Sequence, residues 1–190
     1  MEAAIDAKRL SAGQHRWEIT YARYRTALSF LAKPDVLMFH VKGDLQDWQF
    51  IRYTFATSLI ADGFFKYSPA DGYQFGTVEW FDEFDRAGRD NTSWLGLAKS
   101  GPPESAWQNG VYRRDFENGV ALVNPHRNGA QTVRIEPGFR RIMGVQDPAV
   151  NNGQPAGEIR LLDGDGIILV REDRETKLAD PEPPTLRLGN

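Results

Sequence analysis

Four carboxylates and three aromatic rings alternate within one short stretch of this chain: Glu79, Trp80, Phe81, Asp82, Glu83, Phe84 and Asp85. Aromatic neighbours desolvate a carboxyl group and raise its pKa, as a general acid working near neutral pH requires. An indole face also packs well on the apolar face of a sugar ring. Asp82 and Glu83 are therefore the candidate acid and base, and Trp80 is a candidate sugar-stacking residue. The same alternation equally describes an amphipathic turn whose carboxylates cap loops. Glycosidic hydrolysis needs two carboxyls on opposite sides of the scissile bond, about 5–9.5 Å apart. A single local cluster supplies that geometry poorly, so binding is the better-supported role for the segment.

Two further groups sit where short apolar runs end. His40, Lys42 and Asp44 follow Val36–Phe39, and Lys66, Tyr67 and Ser68 follow Phe64-Phe65. In parallel α/β folds ligands gather at the C-terminal ends of strands, so all of these except Ser68 are taken as candidate substrate-binding residues. The competing reading is structural: Asp44 as a helix cap, Lys42 as a solvated charge, His40 as a satisfied core histidine and Lys66 as a lysine reaching for water. Asp163-Gly164-Asp165-Gly166 lacks the further spaced oxygen ligands of a calcium loop and reads as a hairpin turn. With His15, His40 and His126 far apart and no cysteine, a metal centre has little support, and no cofactor is implied. No phosphate-binding loop or serine nucleophile elbow occurs.

The elements that must position these residues alternate. Trp17, Tyr21, Tyr24, Leu28 and Leu31 form one apolar stripe, predicting a helix over 13–32 that Lys33-Pro34 stops. Residues 36–41 form a near-continuous apolar run, the pattern of a strand buried on both faces. Trp48, Ile51, Phe55 and Leu59 predict a helix over 45–61, with Asp44 placed to cap it and Asp62-Gly63 to end it. A second strand follows at 64–67. Helix, strand, helix, strand is the rhythm of a parallel sheet. Nothing before residue 13 reads as another strand, so the sheet looks like part of something larger. Beyond Gly101-Pro102-Pro103 the pattern changes to six short strands, Val111–Phe116, Val120–Val123, Thr132–Ile135, Phe139–Met143, Glu158–Leu162 and Ile167–Val170. Asn-Gly, Pro-Gly and Asp-Gly pairs separate them, which predicts an antiparallel sandwich.

Composition sets the outer bounds. The chain has 190 residues, 41% hydrophobic and 12% aromatic, with a net charge of -3. Without a concentrated cationic footprint, nucleic acid is not an expected partner. No apolar run approaches the roughly 18 residues of a membrane span. The start Met-Glu-Ala-Ala-Ile-Asp carries no signal-peptide pattern. Residues 173–190 are charged and proline-rich, and are expected to be a disordered tail.

Three motifs in order carry a resemblance: Asp62-Gly63-Phe64-Phe65-Lys66-Tyr67, then Glu79 through Asp85, then Tyr112-Arg113-Arg114-Asp115-Phe116-Glu117-Asn118-Gly119-Val120-Ala121-Leu122-Val123-Asn124-Pro125. Together, over roughly residues 15–172, they resemble the end of the glycosyl-hydrolase-like proteins, a family of TIM-barrel hydrolases with a C-terminal β domain. The chain departs from that pattern between Asp85 and Gly101. The resemblance implies a fold of α/β plus all-β class: the last βα units of a TIM (β/α)8 barrel over residues 1–100, then an antiparallel β-sandwich over 105–172. It implies that 13–32 is the sixth barrel helix, that 36–61 is the seventh unit and that 64–67 is the eighth strand. It implies a carbohydrate substrate, an extracellular or periplasmic parent protein, and an incomplete catalytic site here, because the acid after the fourth strand lies outside the chain. Two functions follow as expectations: the C-terminal segment of a glycoside hydrolase, inactive alone, or a non-catalytic carbohydrate-binding or structural β module.

Overall fold

The computed structural model describes residues 5–6, 16–32, 37–70, 80–84 and 94–172, and the structure below is that of these residues. Glu79, Asp85, His15, residues 86–93 of the departure between Asp85 and Gly101 and the tail 173–190 lie outside them, as do the N-terminal end of the first predicted helix and its Lys33-Pro34 stop.

The chain begins with strand β1 (Ile5–Asp6), followed by helix α1 (Trp17–Ser29), strand β2 (Met38–Gly43), helix α2 (Trp48–Ala61) and strand β3 (Phe64–Pro69). The strands form a parallel sheet of order β1-β2-β3. Two expectations are corrected here. A strand does precede residue 13, since Ile5 and Asp6 pair with Val41 and Lys42. The sheet is not part of a TIM barrel: it has three strands and does not close, the described residues contain two α-helices, and most strands are antiparallel. The physical reason lies in the second helix. In a barrel each helix covers the strand ring with one face and meets neighbouring helices or water with the other. Here α2 has a second sheet against it.

That second sheet is antiparallel, of order β4-β5-β9-β7, built from β4 (Tyr112–Asp115), β5 (Gly119–Asn124), β7 (Phe139–Arg141) and β9 (Asp165–Arg171). Strands β6 (Gln131–Arg134) and β8 (Glu158–Leu161) make a separate antiparallel pair. Both β5 and β9 are buried on both faces. The alternation of a strand explains how. Ala121, Val123 and Ile168 face α2 and join the core that contains Phe39, Val41, Ile51 and Tyr67. Val120, Leu122, Ile167 and Leu169 face the other way, onto Val133, Ile159 and Leu161 of the β6-β8 pair.

The ends of α2 are built by specific side chains. Its cap is Asp47, whose carboxylate accepts from Phe50 N at 3.0 Å, and not Asp44. Asp44 Oδ1 accepts from Gln46 N at 2.9 Å, shaping the turn one step earlier. At the other end Asp62 adopts a left-handed conformation (φ 68°) and Gly63 N donates to Ser58 O, closing the last turn. Buried Arg114 on β4 donates to Leu59 O at 2.8 Å, to Asp62 Oδ1 at 3.1 Å and to Ser100 O, tying the antiparallel sheet to the helix terminus. A cation at a helix C-terminus is favourable on electrostatic grounds as well.

The approach of α2 to β9 is closest at Gly166. A Cβ there would lie 2.8 Å from Ala56 Cβ and 2.8 Å from the backbone oxygen of Arg52. Neither neighbour can swing away. Gly166→Ala is therefore expected to lower stability by about 1–3 kcal/mol through overpacking, read from the denaturant midpoint. An unchanged midpoint would show that the helix can back off the sheet.

Candidate functional site

The predicted site residues fall into two groups on different sides of the parallel sheet. In the register of β2 and β3, His40 lies opposite Lys66 and Lys42 opposite Ser68. These residues alternate with Phe39, Val41 and Tyr67, which face the core, so they occupy the sheet's other face. There His40 Nε2 and Ser68 Oγ are 2.9 Å apart, with Ser68 buried and Lys42 exposed. Exposed Met38 and Phe64 begin the same face. Tyr67 points the opposite way. Its hydroxyl donates to Asp44 O at 2.9 Å, and burial pushes its pKa upward. Tyr67 and Asp44 are thus joined to each other as structural partners of the β2–α2 turn.

The second group is the acidic turn. Phe81 and Phe84 anchor it from the core side: Phe81 packs on Tyr67 and Trp48, and Phe84 on Phe55 and Phe65. The alternation noted in the sequence thus sorts rings inward, while Asp82–Phe84 coil into a single 3-10 turn. Trp80 is the exception among the rings, 49% exposed and touching Phe84 edge-on.

Asp82 and Glu83 are aimed at one partner, the loop of residues 144–151 between β7 and β8. Gln146 N donates to Asp82 Oδ2 at 2.8 Å, and Asp82 N donates to Gln146 Oε1 at 2.8 Å. Gln146 Nε2 completes the clasp by donating to Trp80 O at 2.9 Å. Gly144 makes room for it, since a Cβ there would lie 2.2 Å from Asp82 Oδ2. Glu83, 4% exposed, accepts from Asn151 Nδ2 at 2.9 Å. Burial pushes the Glu83 carboxyl above the ordinary carboxylate range, opposed by the hydrogen bond from Asn151 and the charge of Arg52. The direction of the shift is the one a general acid needs, but the group meets protein and not solvent.

Behind this turn lies a buried charge cluster that sequence reading missed. Arg52 of α2, 4% exposed, forms a short ion pair with Asp147 of the loop and a longer one, 3.6 Å, with Asp165 at the start of β9. Burial raises the Asp165 carboxyl, with Arg52 and the backbone amides of Leu162 and Gly166 pulling it down. Arg141 of β7 stands near enough to Arg52 that burial and the like charge lower its own pKa. One signal was legible: Arg52 interrupts the apolar residues Phe50, Ile51 and Tyr53 in a helix with few other charges. Asp165, by contrast, looked like a turn residue. The turn at 163–166 is real, but β8 and β9 belong to different sheets, so it is not a hairpin.

No group of His, Cys, Asp and Glu among the described residues is arranged to hold a metal ion, and no helix among them is long and apolar enough to cross a membrane. Compared with protein-family models, with curated proteins and with solved structures, the chain matches none. The chemistry of the site therefore rests on its own geometry: an acidic turn clasped to a loop, with one indole left to solvent.

The Arg52 cluster is the energetically demanding part. Removing one partner of a buried pair leaves the other charge uncompensated, at a cost of about 3–5 kcal/mol. Arg52→Met should destabilise the protein by that order in urea denaturation. Adding Asp165→Asn to Arg52→Met should return part of the loss. Strict additivity of the two substitutions would mean that the pair does not interact.

Proposed function

We propose that this chain recognises carbohydrate without hydrolysing it, with Trp80 as the stacking platform. One observation carries the reading: both candidate catalytic acids are engaged by the 144–151 loop, while the neighbouring Trp80 indole is left half open. A hydrolase needs an accessible acid and an accessible base or nucleophile on opposite sides of the bond. Glu83 is enclosed, and one oxygen of Asp82 is held by the Gln146 amide. A binding site asks for less, namely an aromatic face and a hydrogen-bond acceptor beside it. Asp82, part-buried beside Trp80, is the acceptor in this reading. The resemblance of the three sequence motifs to the end of carbohydrate-active barrel proteins supplies the ligand class. His40, Lys42 and Lys66 lie on the other side of the sheet and have no part in this platform.

Titration of the full chain with neutral oligosaccharides should give saturable binding. Trp80→Ala should weaken it by tenfold or more, since an aromatic stacking contact contributes about 0.5–1.5 kcal/mol beyond the area it buries. A panel of chromogenic aryl glycosides should show no release of chromophore. Turnover that disappears in Glu83→Gln would overturn this reading and make Glu83 a catalytic residue. An absence of binding to every oligosaccharide tried, with the fold intact, would remove the carbohydrate assignment.

A further inference from the structure

The 144–151 loop is held at its centre by polar contacts. Gln146 clasps Asp82 and Trp80, Asp147 pairs with Arg52, and Asn151 meets Glu83. Its own turn is closed by Gly144 N donating to Asn151 O and by Asn151 N donating to Asp147 O, 2.9 and 2.8 Å. Its apolar anchor is Val150, part-buried against the core beneath the β6-β8 pair. Val145 is 86% exposed, and Met143 at the loop's entrance also faces solvent. A segment held this way opens at lower cost than the strands beneath it. Of its contacts, the one at Glu83 is the most deeply enclosed, since Glu83 and Asn151 are both buried.

We propose that residues 144–151 are a strap whose closure is set by the charge on Glu83: latched while the buried carboxyl is neutral, loosened when it ionises. The neutral acid fits its surroundings, because Asn151 Nδ2 needs only a carbonyl-type oxygen to donate to. An ionised carboxylate in the same place loses its hydration, and the Asn151 hydrogen bond, its own backbone amide and the charge of Arg52 offset only part of that loss. Charged groups face it from several elements. Asp82, its neighbour on the turn, disfavours ionisation, and Arg52 on α2 favours it. Arg52 is however already shared between Asp147 of the strap and Asp165 of β9, with Arg141 of β7 close by. Burial outweighs these terms and raises the Glu83 pKa. The sign follows. A carboxyl whose pKa is raised in the folded state contributes stability that is fully present below its ordinary value and is lost as pH rises through the raised one. The strap therefore loosens toward higher pH. Its release would free Trp80 O, Asp82 N and Asp82 Oδ2 from Gln146, altering the platform. That last consequence rests on the carbohydrate reading above. The strap itself does not.

The test is amide hydrogen exchange of the full chain without sugar, expressed as protection relative to the intrinsic rate at each pH. As the pH rises from the ordinary carboxylate range to the alkaline side of neutrality, protection at the Gly144, Gln146 and Asn151 amides should fall severalfold. The central strands β5 and β9 should stay protected throughout. In Glu83→Gln, which fixes the neutral shape, strap protection should be independent of pH. Constant strap protection in the wild type, or an unchanged pH response in Glu83→Gln, would overturn the proposal. Loss of protection in β5 and β9 together with the strap would also overturn it, since the event would then be global unfolding. A strap that responds as described in a chain that binds no oligosaccharide would leave this inference standing and remove only the carbohydrate assignment.

Discussion

Helix α2 has a sheet on each side, and that leaves it without a solvent face on which to carry a charge. Phe55 packs on Phe65 of the parallel sheet, while Ala56 and the backbone of Arg52 lie against Gly166 of the antiparallel one. Yet the helix carries Arg52 one turn in from its N-terminus. Arginine is almost never buried unless paired, and it cannot shed its proton to become neutral. The structure must therefore bring acids to it. Asp165 arrives from the start of β9 and Asp147 from the loop after β7. Much of the arrangement around the acidic turn follows from that demand, including the placement of the 144–151 loop over the end of the helix.

The same geometry explains why the acidic turn is a clasp. Its rings face the core and so dock the turn onto β3 and α2, which directs Asp82 and Glu83 toward whatever borders that surface. The border is the 144–151 loop, whose amides and side-chain amides satisfy them. Buried polar groups of this kind are hydrogen-bonded or costly, and here both acids are bonded. Elsewhere buried polar groups are matched in the same way. Trp17 Nε1 donates to Thr57 Oγ1 at 2.9 Å, and Asn124, fully buried, donates to Gly129 O and Leu162 O, holding the turns that lead out of β5 and into β9.

Much of the secondary structure was legible from residue patterns. The stripe of Trp17, Tyr21 and Tyr24 is the buried face of α1, and the apolar runs around Phe39 and Phe65 are β2 and β3. Each strand of the C-terminal region begins within two residues of its predicted start. The stripe of Trp48, Ile51, Phe55 and Leu59, however, shows only one of the two buried faces of α2. The other is made of Arg52, Tyr53, Ala56 and Thr57, residue types equally at home against water or a sheet. That is why the second sheet beside the helix, and with it the error of the barrel, could not be seen. Sites followed the same division. Trp80, Asp82 and Glu83 were visible as a group, whereas Asn151, Gln146 and Asp147 have no sequence pattern tying them to that group.

What the sequence determined by itself was local: periodicity chose helix or strand, and Gly, Asn and Asp chose where the chain reverses, because those choices depend on neighbours a few residues away. Which strand lies beside which was decided only in three dimensions. Asn118-Gly119 joins two strands that pair with each other, β4 and β5, while Asn128-Gly129 and Pro137-Gly138 lead the chain from one sheet to the other and back. A turn residue permits a reversal without naming the partner, which is set by the apolar faces that must cover each other. The state of the acids was decided in the same way. A carboxylate beside aromatic residues has an active-site look in any sequence, but whether it faces a substrate or an asparagine 68 positions away is settled by how the two sheets close on α2.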